Sequence, residues 1–95
     1  MPAFLIADVE VTDPVLYEEY RKGAPATIAA YGGRYVARGG ATEVLEGDWQ
    51  PRRAVVLEFP SLGQLHAWYQ SAEYAPLRAI RAKASNSRIV AIEGL

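Results

Sequence analysis

The chain reads as an α+β domain in which one antiparallel sheet carries its helices on a single face, in the order β-α-β-β-α-β. Three observations lead there. Ala3 to Val11 alternates with the two-residue period of a strand, and Thr12-Asp13-Pro14 then opens a helix. Further on, Gly47, Asp48 and Pro51 reverse the chain ahead of a β-rich run, Ala54 to Phe59, which leads directly into a second helix.

In the first strand Ala3, Leu5, Ala7, Val9 and Val11 share one face, while the other holds Phe4 and Ile6, then Asp8 and Glu10. Asp13 is the N-cap of the helix that follows, with Pro14 at its first position. Leu16, Tyr17, Tyr20, Ala24 and Ile28 form its apolar stripe. Gly23 and Pro25 predict a kink or a break, because proline removes a helical hydrogen bond and crowds the preceding turn. Tyr31-Gly-Gly33 supplies a left-handed cap. Arg34 to Arg38 is the second strand, with Gly39-Gly40 expected as a bulge or bend before Glu43 to Glu46 resumes it. The third strand is Arg53 to Phe59, stopped by Pro60, which donates no ladder hydrogen bond. Ser61 is the N-cap of a helix to Ser71 whose apolar side is Leu62, Leu65, Trp68, Tyr69 and Ala72. Pro76 marks a further helical segment, Glu73 to Lys83. Ser85-Asn86-Ser87 reads as a loop before the last strand, Arg88 to Glu93.

This is the ferredoxin-like split β-α-β order. Its helices cover one sheet face, yet apolar residues occupy both: Phe4 and Ile6 against Leu5 and Val9, Val56 against Val55 and Leu57, Ile89 against Val90 and Ile92. A second copy of the same sheet is the simplest cover, so a homodimer is expected. The composition agrees: 51% of the 95 residues are hydrophobic, much for so small an interior.

Composition also excludes. One domain spanning residues 1–95 is expected. A net charge of −1 leaves no electrostatic footprint for nucleic acid. Without cysteine there is no disulfide framework, thiol catalysis or zinc–thiolate site. The first residues lack a basic start, and no apolar run is long enough to span a bilayer, so a cytoplasmic protein with no membrane partner is expected. His66 is the single histidine, the carboxylates of Asp8, Glu10, Glu43, Glu46 and Glu58 have no metal-ligand spacing, and no glycine-rich phosphate loop exists. No metal, nucleotide or other cofactor is expected.

The residues Glu46-Gly-Asp-Trp49, Pro51, Arg53, Glu58-Phe-Pro-Ser61, Trp68-Tyr69, Ser71, Glu73-Tyr74 and Arg81 carry a resemblance to domain-of-unknown-function family 1330, over nearly the whole chain. That family resembles the dimeric α+β barrel proteins, in which two ferredoxin-like sheets face each other around a ligand-sized cavity. Relatives by fold include cofactor-independent quinol-type monooxygenases, muconolactone-type isomerases and small stress-response proteins. The resemblance brings no catalytic residues with it, and fold alone supplies no reaction.

The aromatic residues are the better functional signal. We expect a small apolar pocket between the helix layer and the inner sheet face, lined by Tyr17, Tyr20, Trp68 and Tyr69, with Arg38 and His66 as polar contacts. Arg38 lies beside Gly39-Gly40, where a bend leaves room for a ligand, and offers a planar fork to an acid or enolate. The plainer alternatives are a core role for the aromatics and a helix-flank position for His66. Ser61 is read as a cap, not a nucleophile. The run Arg78, Arg81, Lys83 and Arg88, with no intervening acid, is read as a solvated helix face in preference to an anion site. Trp49 is expected against a partner subunit or at a mouth of the cavity, packing across its own turn being the plainer alternative. Three functions follow: an enzyme of the monooxygenase or isomerase kind, a binding protein for a small apolar or aromatic molecule, or a structural, stress-related dimer with a filled barrel.

Overall fold

A computed structural model describes all 95 residues. The elements are β1 (Ala3–Val11), α1 (Pro14–Ala30), β2 (Arg34–Arg38), β3 (Ala54–Phe59), α2 (Leu62–Tyr69), α3 (Ala75–Ala84) and β4 (Ser85–Glu93). They form one sheet of order β2-β3-β1-β4 with every neighbouring pair antiparallel, the ferredoxin-like arrangement. The sheet and its helix layer make a slab 36 × 34 × 16 Å in extent. No helix is long and apolar enough to cross a membrane.

Strand alternation sorts the two faces. Ala3, Leu5, Ala7 and Val9 of β1 are buried beneath the helices with Leu57 and Phe59 of β3, and Tyr17, Ala24, Ile28, Leu65, Trp68, Tyr74 and Ala84 close over them. On the opposite face Ile6 lies between Val56 and Val90, and Phe4 between Glu58 and Ile92. No helix covers this side, and Val36, Val90 and Ile92 are exposed.

Helix ends follow the local chemistry. The Asp13 carboxylate accepts from Leu16 N at 3.1 Å, and Ser61 Oγ from Gln64 N at 3.1 Å. At the end of α1, Gly32 takes φ +78°; its N–H reaches Ala29 O and that of Gly33 reaches Ile28 O, so the last carbonyls are satisfied. α1 runs without a break across Pro25, so of the kink or break expected there the break is absent. Proline removes only the bond to the carbonyl of Arg21, an exposed residue.

A bulge falls at Val36, between the pairs Tyr35↔Leu57 and Ala37↔Val56, and Gly39 forms the bend expected of Gly39-Gly40. Three expectations are corrected. Glu43 to Glu46 does not resume the strand. Gly39, at φ +70°, turns the chain away after donating to Ala54 O, and the segment from Gly40 to Arg53 is a loop. Ser85-Asn86-Ser87 is strand, not loop, because it pairs with Val11, Glu10 and Val9 and so completes the partner of a long central strand. Its hydroxyls are satisfied locally: Ser85 Oγ donates to Arg81 O at 2.7 Å and lies 2.9 Å from Ser87 Oγ. α2 also ends at Tyr69, short of Ser71, leaving Ala72 exposed in the turn before α3.

Replacing Ser61 by alanine should lower stability by about 1 kcal/mol, because an orphan amide of α2 loses its acceptor. Urea denaturation of Ser61→Ala and Ser61→Asp checks this, with aspartate restoring the loss.

Candidate functional site

Between the helix layer and the sheet lies a cavity of about 160 Å³. Its floor is the inner face of the sheet, where Ala7 sits between the larger Leu5 and Val9 and leaves space unfilled. Tyr17 and Tyr20 of α1, Trp68 of α2, and Tyr74 beside Arg81 of α3 form the roof, while Tyr35 and Arg38 of β2 and Arg53 ahead of β3 complete the wall. Glu18, Arg21 and Lys22, all exposed, stand at the rim.

The rings form a connected wall. Trp68 lies 5.3 Å from Phe59 and 4.1 Å from Tyr74, Tyr74 lies 6.1 Å from Tyr20, and Tyr20 5.4 Å from Tyr17, in tilted or edge-on contacts that aromatic quadrupoles favour. The polar tips find partners, as buried tips must. Tyr20 and Tyr74 hydroxyls are 2.7 Å apart, and Trp68 Nε1 donates to Thr27 Oγ1 at 3.0 Å. Ser71 Oγ donates to Trp68 O and accepts from Tyr74 N, locking the turn that aims Tyr74 inward.

Burial raises the pKa of Tyr17, Tyr20 and Tyr35. The hydrogen-bonded Tyr74 adds to the effect at Tyr20, while Arg53 and Arg81 oppose it at Tyr17 and Arg38 at Tyr35. All three phenols are therefore neutral hydrogen-bond donors at physiological pH.

The cations are disposed differently from one another. Arg81 is only 8% exposed, and no carboxylate approaches it within 4.0 Å: the ion pairs of the chain are Arg21–Glu18, Arg34–Glu58 and Arg52–Glu10. The Nε atoms of Arg81 and Arg53 are both buried without a hydrogen-bond partner. Arg53 threads beneath Gly39, where a Cβ would come within 2.5 Å of its Nη1. Arg38 is exposed and rests its guanidinium over the Tyr35 ring, 4.5 Å from the centroid. The room expected for a ligand at Gly39 is thus taken by Arg53.

Of the residues singled out in the sequence, Tyr17, Tyr20, Trp68 and Arg38 line this cavity. Tyr69 and His66 do not. They border a separate groove with Leu65 and Val90, where His66 is exposed and the Arg78 guanidinium lies 5.0 Å from the Tyr69 centroid. Arg53, Tyr35, Tyr74 and Arg81 complete the lining, and none of them belonged to the expected set. Arg81 had a signal: Tyr74, Leu77, Arg81 and Ala84 recur at the spacing of a buried helical stripe, so the run of basic residues is not one solvated face. No three histidine, aspartate or glutamate side chains gather where a metal ion could be held.

A second cluster lies on the opposite face. Trp49 Nε1 donates to Asp8 Oδ2 and Arg52 N to Asp8 Oδ1, each at 2.9 Å, and Arg52 pairs with Glu10 at 3.2 Å. Trp49 remains 57% exposed and is held by its own β1, not across its own turn. The Trp49 hydrogen bond is the largest influence lowering the Asp8 pKa; partial desolvation opposes it, and the Arg52 and Arg53 amides and the Arg88 charge add to it. A depressed carboxylate pKa means the anchor is fully in place above the ordinary value of 3.8 and is lost as pH falls through the lower folded value. The Trp49 indole N–H resonance should therefore move to its solvent position only below pH 3.8. Asp8→Ala should move it at neutral pH while the Trp68 resonance, held by Thr27, stays in place.

Several solved structures share the fold. A protein of unknown function from Rhodopseudomonas palustris superposes with TM-score 0.79 at 18% identity, covering 99% of this chain and 82% of its own. A dimeric ferredoxin-like protein of unknown function from Thermobifida fusca gives 0.68 at 20% identity, covering 99% and 92%. SnoaB, a cofactor-independent oxygenase from Streptomyces nogalater, gives 0.66 at 12% identity, covering 99% and 93%. At these identities the likeness is one of fold. No functionally curated protein matches the chain. The sequence profile described as domain of unknown function DUF1330 matches residues 2–95, and the chain belongs to that family.

Proposed function

We propose that this protein binds one small aromatic or compact apolar molecule in the cavity between its helices and sheet. The observation that carries the reading is the cavity itself, about 160 Å³ with walls of Tyr17, Tyr20, Tyr35, Trp68 and Tyr74. A void of about 150 Å³ is enough to take up benzene. Mostly apolar walls with a few fixed polar groups are what small-molecule sites present. The size suits a single ring rather than a fused polycycle. A structural dimer with a filled barrel is the weaker reading, since a protein with no ligand has no use for a void beside an uncompensated buried charge. The fold is shared with a cofactor-independent oxygenase, which makes a reaction of the monooxygenase kind the catalytic form of this reading.

A panel of neutral and anionic single-ring compounds tests this by thermal shift and by amide chemical shifts. At least one should bind saturably and perturb the signals of Tyr17, Tyr35 and Tyr74. Ala7→Leu, which fills the floor, should weaken that ligand about tenfold or more, the order of a lost ring contact. Failure of every ring compound to reach these residues overturns the proposal. Mass analysis of the bound compound after incubation in air separates turnover from binding.

The same reading includes a homodimer in which a second copy covers the outer sheet face. It is supported by the uncovered apolar row Val56, Ile6 and Val90, and by the dimeric state of the similar Thermobifida fusca protein. Light scattering should give twice the chain mass of 10.4 kDa, and Val90→Asp should return it to the monomer value. A wild-type monomer at micromolar concentration would remove this part of the proposal.

A further inference from the structure

We infer that the molecule bound in the cavity is a singly charged carboxylate on a compact ring, with its carboxylate oxygens held by Arg81 and Arg53. The inference rests on the cavity being a ligand site, and it names what that site selects.

The first argument is charge without a counter-ion. Arg81 lies on the buried stripe of α3, is more than nine-tenths buried, and has no carboxylate within 4.0 Å. A guanidinium stays protonated at every accessible pH, so it cannot escape the cost of burial by losing its proton. A buried charge without an ionic partner is costly, and Arg81 has neutral tyrosines beside it but no carboxylate. The second argument is the pair of orphaned donors. Nε of Arg81 and Nε of Arg53 are both buried and unpartnered, and both side chains line the one cavity. Tyr17 lines the same cavity, so its hydroxyl and the two arginines border one space.

The third argument is the charge of the lining. The arginines donate and have no acceptor at all, while the Tyr17, Tyr20 and Tyr35 hydroxyls are neutral groups that can donate as well as accept. The single carboxylate at the rim, Glu18, is engaged by Arg21 at 3.2 Å. Five cations, Arg21, Lys22, Arg38, Arg53 and Arg81, border the cavity against that one acid, in a chain whose net charge is −1. The local field is therefore opposite in sign to the molecule as a whole and draws anions in.

Geometry narrows the class. A guanidinium fork matches the two oxygens of a carboxylate, and two such groups can hold it from both sides. The aromatic wall formed by Trp68, Tyr74, Tyr20 and Tyr17 favours a ring behind that carboxylate over a bare inorganic anion. Gly39 positions Arg53, since any side chain there would displace the guanidinium.

The test is isothermal titration with a matched pair, benzoate and benzyl alcohol, and with inorganic phosphate as the ringless anion. Wild-type protein should bind benzoate about tenfold to hundredfold more tightly than benzyl alcohol, the range for hydrogen bonds to a charged group. Arg81→Met should abolish that preference while leaving benzyl alcohol affinity within about threefold and without lowering the melting temperature. Arg53→Gln should reduce the preference in part, and it decides the matter if Arg81→Met does not fold. Benzyl alcohol binding as tightly as benzoate overturns the inference but leaves the cavity a ligand site. So does a benzoate affinity that survives Arg53→Gln and Arg81→Met together, or phosphate binding as tightly as benzoate. Absence of binding by either ring compound overturns the carboxylate assignment and counts against the cavity as a ligand site.

Discussion

The structure depends on the alternation of one strand. β1 is hydrogen-bonded on both sides, to β3 along Ala3–Asp8 and to β4 along its whole length. Its odd-numbered residues go under the helices and its even-numbered residues to the other side. A shift of one residue would exchange the two sets and put Asp8 and Glu10 into the helix-covered core. The register also gives the cavity its floor. Ala7, placed between two larger residues, is the smallest side chain on that floor.

The aromatic cluster and the arginines line that cavity in different ways. Tyr20 pairs with Tyr74 and Trp68 with Thr27, so these polar tips of the roof are satisfied within the chain. The Nε atoms of Arg81 and Arg53 have no partner within the chain. Packing has been completed in the apolar part of the site and left incomplete in the charged part. Natural cores rarely leave a buried charge unanswered unless a site requires it.

Much of this was legible in residue order. The strand of period two at Ala3–Val11, the caps at Asp13 and Ser61, the stop at Pro60 and the glycines after Tyr31 each act through local chemistry, and each stands where the sequence placed it. What was not legible depended on partners distant in sequence. Glu43 to Glu46 has the apolar content of a strand, but the edge it would extend is closed off by the positive φ of Gly39. Ser85 to Ser87 has the composition of a turn, but β1 offers backbone partners that outweigh it. Arg53 gave no sign, because what draws it inward is the absence of a side chain at Gly39, many residues away. Arg81 was legible in helical period yet was masked by the basic residues around it.

Arg52 and Arg53 are adjacent and serve opposite sides of the sheet. The amide of Arg52 is fixed by Asp8 together with Trp49 on the outer face, while the side chain of Arg53 enters the cavity under Gly39. A single peptide unit thus joins the outer-face anchor to the cavity wall, so a substitution that frees the Arg52 amide acts on the backbone that carries the Arg53 guanidinium.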